Sequence, residues 1–193
     1  PAILNSLCFT ATAPNSSVKL QRHGAKWTIP VLEYSLNGTV WNQYVIGLTI
    51  NLVNPGDRVY FRGDNDYLCL DGQNRVSFVL DGEISASGNI MSLLSKDLAD
   101  KPLTDYTFNY LFAFCDALTT APELPATTLA NHCYSSMFYD CSGLKTPPEL
   151  PAVMLAEGCY MSMFSGSGIT TAPVLPAESI APQCYRRMFE RCI

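Results

Sequence analysis

Eight cysteines, two histidines and a pair of recurring glutamates are the residues of this 193-residue chain whose types could do chemistry. His132 adjoins Cys133, and in the right geometry such a pair makes a thiol nucleophile. Adjacent residues on a helix do not face each other, however, and Cys133 falls on a periodic apolar position, so the sequence argues against a cysteine hydrolase. Glu123 and Glu149 occupy matching points of a repeat. Stacking would set them in a like-charge ladder, which suits a solvated or ligand-facing stripe better than a glycosidase acid–base pair. Asp64, Asp66 and Asp71 cluster without the spacing or the closing Glu of an EF-hand loop, so a polar loop is favoured over a loose calcium site. Arg62-Gly63-Asp64 matches a tripeptide that some integrin ligands display, but three residues carry little specificity; a strand end and a solvated Asp explain it as well. No Cys-x-x-Cys, His-Glu-x-x-His, Gly-x-Ser-x-Gly or Gly-rich phosphate loop occurs. The expectation is a protein with no catalytic residue, no metal site and no cofactor.

Most of the cysteines belong to a repeat that must position whatever the second half of the chain presents. Leu118, Pro122, Leu124, Pro125-Ala126, Leu129-Ala130, Cys133-Tyr134, Met137-Phe138 and Cys141 form one copy. Leu144, Pro148, Pro151-Ala152, Leu155-Ala156, Cys159-Tyr160 and Met163-Phe164 form the next, and Ile169, Pro173, Pro176-Ala177, Ile180-Ala181, Cys184-Tyr185, Met188-Phe189 and Cys192 the third. The period is 26 residues and then 25, in the range that marks a solenoid. Leu103 to Cys115 matches the second half of a copy, with Thr107 for the first cysteine and Leu111 for the methionine, as suits a degenerate end copy. Pro122 and Pro125 remove ladder donors, so any strand opening at Leu118 is short. Leu129, Cys133, Met137-Phe138 and Cys141 recur at about helical spacing and predict a helical or 3₁₀-like inward face. The core of this half is expected at Leu118, Leu124, Leu129, Cys133, Phe138, Cys141, Leu144, Cys159, Phe164, Cys184, Phe189 and Cys192. The second copy has Ser165-Gly166-Ser167-Gly168 where the first carries its second cysteine, predicting a local gap or a tighter turn. The last copy ends in mid-repeat at Cys192-Ile193, which leads us to expect that the array continues or that a partner covers this end.

The first half reads as strands. Leu7, Phe9 and Ala11 alternate with polar or smaller residues; Asn37-Gly38 and Asp81-Gly82 are strong hairpin signals, and Asn54 to Asp57 is a further turn cluster. Trp27, Trp41, Tyr60, Phe61, Phe78 and Ile84 are expected to fill its core. The division is a β-sandwich over 1–88, a short junction over 89–102 and the repeats over 103–193, the two parts packing directly. The fold class is thus α+β, an N-terminal all-β sandwich followed by a short solenoid of about 25–26 residues per repeat. Net charge is −5 with no basic run, against nucleic acid; no apolar stretch is long enough to span a bilayer. No charged segment followed by an apolar one opens the chain, so no signal peptide is expected within it, while its start at Pro1 and not Met is compatible with a leader already removed. Sequons at Asn15 and Asn37 mark surface loops if a glycosylating host makes the protein.

The repeat resembles the BspA-type leucine-rich repeats of gut and oral bacteria and gut phages. Leu118 and Leu144 match that unit's first Leu, Pro125 and Pro151 its Pro, and Cys141 and Cys192 its Cys; Cys133-Tyr134 and Cys159-Tyr160 stand where it has Ala-Phe. The extra Pro122, Pro148 and Pro173 and the Met-Phe step depart from it. Leu32-Glu33-Tyr34-Ser35 and Gly56 to Gly63 are similar to a string in the β domain that often precedes such repeats. The resemblance implies a leucine-rich-repeat solenoid and a non-enzymatic binding or adhesion module at a bacterial cell surface or in secretion. The alternative is a structural virion component of a gut phage: a tail, fibre or capsid-decoration protein. Implied partners are a protein or glycan on a cell surface, or neighbouring subunits. Thr119, Glu123, Lys145 and Glu149 along the strand side, and Arg186 and Arg187 on another edge, are the candidate ligand-binding residues.

A cysteine that recurs at one repeat position behaves first as a small buried hydrophobe, so free thiols are favoured over a disulfide framework. Denatured, non-reduced protein should then titrate all eight thiols; four disulfides would overturn this reading.

Overall fold

The computed structural model describes residues 5–25, 27–98 and 101–192, so the parts of the expected boundaries at 1–4, 99–100 and 193 lie outside the described residues. Nine strands are present among the described residues: β1 (Leu7–Ala11), β2 (Ser16–His23), β3 (Leu32–Ser35), β4 (Asn42–Tyr44), β5 (Thr49–Leu52), β6 (Arg58–Gly63), β7 (Arg75–Asp81), β8 (Ile84–Ser87) and β9 (Leu118–Thr120). They form a six-stranded sheet ordered β4-β3-β6-β1-β8-β9 and a three-stranded sheet ordered β5-β2-β7. Among these strands every pairing is antiparallel except that of β8 with β9, which is parallel.

Alternation fixes which faces meet. Val18 and Leu20 of β2 and Val59 and Phe61 of β6 are buried, while the residues between them are partly exposed. Phe9, Phe61 and Phe78 meet edge to face at 4.8 to 5.9 Å and join the two sheets. Phe61, Phe78 and Ile84 lie in the core as expected, whereas Trp27, Trp41 and Tyr60 are only partly buried. Asn37 organises the β3–β4 turn with its side chain, Oδ1 accepting from the Thr39 and Val40 N–H groups. Asp81-Gly82 is not a hairpin: β7 and β8 belong to different sheets, so the turn is a corner between them. Ile90–Leu93 is a single 3₁₀ turn, capped by the Asn89 side chain.

The expected α+β architecture with a leucine-rich-repeat solenoid is overturned. The chain is nearly all β in its regular structure, with 27% strand, 3% helical turn and no helix among the described residues. The reason lies in the backbone. Tyr106, Tyr110 and Phe114 have φ of 57° to 65°, and so, near 50° to 75°, do His132, Ser136 and Asp140, then Gly158, Ser162 and Gly166, then Gln183, Arg187 and Arg191. A left-handed residue at every fourth position cannot belong to a right-handed helix. The spacing read as helical is a strict period of four.

Each copy is instead a ribbon of successive turns in which the N–H groups alternate between two tasks. Cys133, Ser135, Met137, Tyr139 and Cys141 donate locally, three residues back, to Ala130, His132, Tyr134, Ser136 and Phe138. His132, Tyr134, Ser136, Phe138 and Asp140 donate instead to carbonyls of the next copy, at Glu157, Cys159, Met161, Met163 and Ser165. The same alternation holds from Tyr106 to Phe114 and from Gly158 to Gly166. No strand opens the second or third copy, so neighbouring copies form no parallel sheet with each other; β9 exists because β8 offers it an edge. Prolines at 147, 148 and 173 take donors away from the later copies.

Two aromatic columns run through the ribbons. Phe78, Phe112, Phe138, Phe164 and Phe189 stack with centroids 5.3 to 5.8 Å apart, beginning inside the sandwich. Phe108, Tyr134, Tyr160 and Tyr185 stack at 5.8 to 6.0 Å. Beside them, the Cys115, Cys141 and Cys192 thiols donate to the carbonyls of Phe78, Phe112 and Phe164. Ser167, fully buried, takes the matching place in the second copy, so the gap expected there is filled.

Copies approach so closely that a methyl group is excluded at Gly143: a Cβ there would lie 2.1 Å from the Asp116 carbonyl oxygen, a backbone atom. Gly143→Ala should destabilise the protein by about 1–3 kcal/mol, read by denaturant unfolding, while Gly72→Ala, in open space, should be near neutral. Equal effects would contradict the stacked packing.

Candidate trough on the proline face

Between the ribbons, each copy crosses one face of the stack in a proline-bounded segment: Pro122 to Pro125, Pro148 to Pro151, and Pro173 to Pro176. These segments wall two neighbouring grooves. One, of about 580 Å³, is lined by Pro122, Glu123, Leu124, Pro125, Pro148, Glu149 and Pro151. The other, of about 560 Å³, is lined by Lys145, Thr146, Pro148, Glu149, Pro151, Thr170, Thr171, Pro173, Val174 and Pro176 among others. Pro148, Glu149 and Pro151 belong to both, so the two form one open trough. Its walls are rigid because proline fixes φ and loses no side-chain entropy on contact. Leu124 and Leu150 turn into the core beneath, which sets Glu123 and Glu149 outward by alternation.

Of the six candidate ligand-binding residues, Glu123, Lys145 and Glu149 line this trough. The Glu123 and Glu149 carboxylates are exposed and form no ion pair among the described residues. Lys145 Nζ donates to the Ser142 carbonyl at 2.9 Å and keeps its remaining hydrogens for solvent or a ligand. Thr119 does not join them: its hydroxyl donates to the Ile84 carbonyl and is spent on the β8–β9 junction. Arg186 and Arg187 lie on the last ribbon, bonded to Gln183 and paired with Glu190, and do not line the trough. Thr170 and Val174, which continue the repeat columns of Lys145 and Glu149, line the trough as well, and Thr171, which the repeat columns do not single out, joins them from the neighbouring copy. Val174 is 82% exposed where an apolar side chain gains nothing from solvent.

The remaining polar features are structural. Arg62 pairs with Glu33 at 2.7 Å and lies over the Trp41 ring, and Asp64 pairs with Lys96, so the Arg-Gly-Asp tripeptide is bound into the sheet surface. Asp66 pairs with Lys101, and Asp71 accepts from the Gln73 and Asn74 N–H groups. No group of three or more His, Cys, Asp or Glu able to hold a metal occurs among the described residues. His132 stacks on Tyr106 at 4.9 Å, whereas Cys133 is wholly buried, so the adjacent pair does not act as one site. No helix among the described residues is long and apolar enough to cross a membrane.

Comparison with protein-family models, with curated proteins and with solved structures finds no match to this chain.

All eight cysteines are free, and seven are buried. Burial raises the Cys69 and Cys141 thiols to about 12 and Cys159 to about 11, from an ordinary value of 9.0; Cys115 and Cys133 are raised by the same cause. These thiols are inert packing at neutral pH, since the thiolate is the reactive species. The linkage has a definite sign. A folded value above the unfolded one gives stability that is complete below about pH 9 and lost as pH climbs through the folded values near 11 to 12. The melting temperature should therefore hold steady near neutrality and fall above about pH 9, with iodoacetamide labelling of folded protein much slower than of unfolded protein. Equal labelling rates in the two states would contradict buried thiols.

Proposed function

We propose that this chain is a non-enzymatic binding or adhesion module that works at a cell surface, with the proline-walled trough as its contact face. The observation that carries this reading is the trough itself. Three copies place rigid proline walls at the same repeat positions along a single open face, which also carries two carboxylates that form no ion pair among the described residues and the Lys145 ammonium. A trough of this kind suits an extended ligand, a polypeptide segment or a glycan chain. Proline CH faces meet its apolar side, and Lys145, Thr170 and Thr171 supply donors. Repetition extends the contact surface without new design at each copy. The buried thiols support a binding rather than a catalytic reading, because the most obvious nucleophiles of the sequence face the core.

The test is binding of labelled protein to an immobilised glycan array and to intact gut bacterial cells. Glu149→Arg and Thr171→Arg, both in the trough, should weaken retention at least tenfold (~1.4 kcal/mol or more), while Lys19→Glu on the sandwich should leave it unchanged. Retention that survives the trough variants and fails with Lys19→Glu would refute the assignment.

A further inference from the structure

Each ribbon has two unlike sides. One bears backbone carbonyls, the other the alternate N–H groups that the left-handed residues turn outward. The carbonyl side of the first ribbon is covered by the sandwich, where Leu68 N–H donates to Thr107 O at 3.1 Å and Phe78 N–H to Leu111 O at 2.7 Å. The N–H sides of the first three ribbons are covered by the copy that follows. On the last ribbon the corresponding groups are the N–H of Gln183, Tyr185, Arg187, Phe189 and Arg191, and they donate to nothing among the described residues. The rings that close the two aromatic columns are likewise covered on one side only: Tyr185 and Phe189 are partly exposed, whereas Tyr134, Phe138, Tyr160 and Phe164 are at most 1% exposed.

We propose that this face is a docking surface for one further polypeptide ribbon of the repeat's own conformation. Such a ribbon would offer backbone carbonyls at alternate residues to the five amides, and an aromatic side chain over each of Tyr185 and Phe189. The polarity of the donors selects this occupant. The same row of N–H groups meets a row of carbonyls at the three ribbon interfaces already formed, so the surface continues an established interface. A second copy of this chain does not fit head to head, because the outward N–H groups of one last ribbon would face those of the other, with no carbonyls to accept from them. Nor does it fit head to tail, because the carbonyl side of its first ribbon lies under the sandwich. A flat apolar partner would leave the amides without acceptors, which burial penalises. The face is separate from the trough, so its fate and that of the trough are independent.

The experiment reads residue-resolved amide hydrogen exchange in the full chain and in a chain to which a second copy of 169–193 is joined after Ile193. Exchange at Tyr185, Arg187 and Phe189 should slow at least tenfold in the lengthened chain, and should return to the parent rate when the added copy is scrambled. Equal rates in parent and lengthened chains would overturn the proposal. As an arm that does not depend on folding of the extension, a synthetic peptide of 169–192 is titrated into the parent chain and heparin into a separate sample. Peptide-induced amide shifts at 185, 187 and 189 support the ribbon. Shifts produced by heparin alone, centred on the arginines, would replace it with a polyanion site, and no shift from either peptide or extension would refute it.

Discussion

A left-handed residue at every fourth position is the constraint on which the second half of this protein depends. It prevents a helix, and it splits the backbone donors into a local set that closes turns and an outward set that bonds the next copy. Such conformations cost roughly 1–2 kcal/mol for a non-glycine residue, and most of the twelve positions that adopt them here in register are not glycine. No single ribbon recovers that cost. It is offset only when copies stack, because stacking satisfies the outward amides and buries both aromatic columns. The ribbons therefore stand or fall together, with the sandwich as the first layer.

The sandwich contributes more than a neighbouring surface. Phe78 belongs at once to its core and to the longer aromatic column, stacked on Phe112 at 5.3 Å and 11°. Its amide donates to Leu111 and its carbonyl accepts from the Cys115 thiol. β9 extends the larger sheet in parallel with β8, and Thr119 and Thr120 add side-chain bonds to the carbonyls of Ile84 and Ala86. The proline segments take no part in this regular bonding between ribbons. Without their donors they do not close into a sheet, and the trough stays open on that side. The same residues thus limit the strands and create the binding face.

Several of these features were legible in the sequence. The strand positions of the first half followed from alternation and turn residues, and the buried cysteines followed from their recurrence. The ribbon conformation was not legible. Cys133-Tyr134, Met137-Phe138 and Cys141 give spacings that fit a helix of 3.6 residues per turn nearly as well as a strict period of four. The one local clue was adjacent pairs of apolar residues at each step, together with Asp140, Gly158 and Gly166 at turn-tolerant positions. Glu123, Lys145 and Glu149 were picked out by repeat position, and they do line the trough. Thr119, in the same repeat column as Lys145, does not, because only the first copy has a strand edge beside it. Val174 follows from the same repeat column as Glu149, whereas Thr171 enters the trough through register between copies, which no single copy displays.

The central claim is that alternate amides of one copy bond the carbonyls of the next. Through-hydrogen-bond scalar couplings in labelled protein test it directly. The account predicts couplings from the Tyr134 nitrogen to the Cys159 carbonyl carbon and from the Phe138 nitrogen to the Met163 carbonyl carbon. Couplings from Tyr134 and Phe138 to carbonyls four residues earlier in their own copy would mean a helix, and would contradict it.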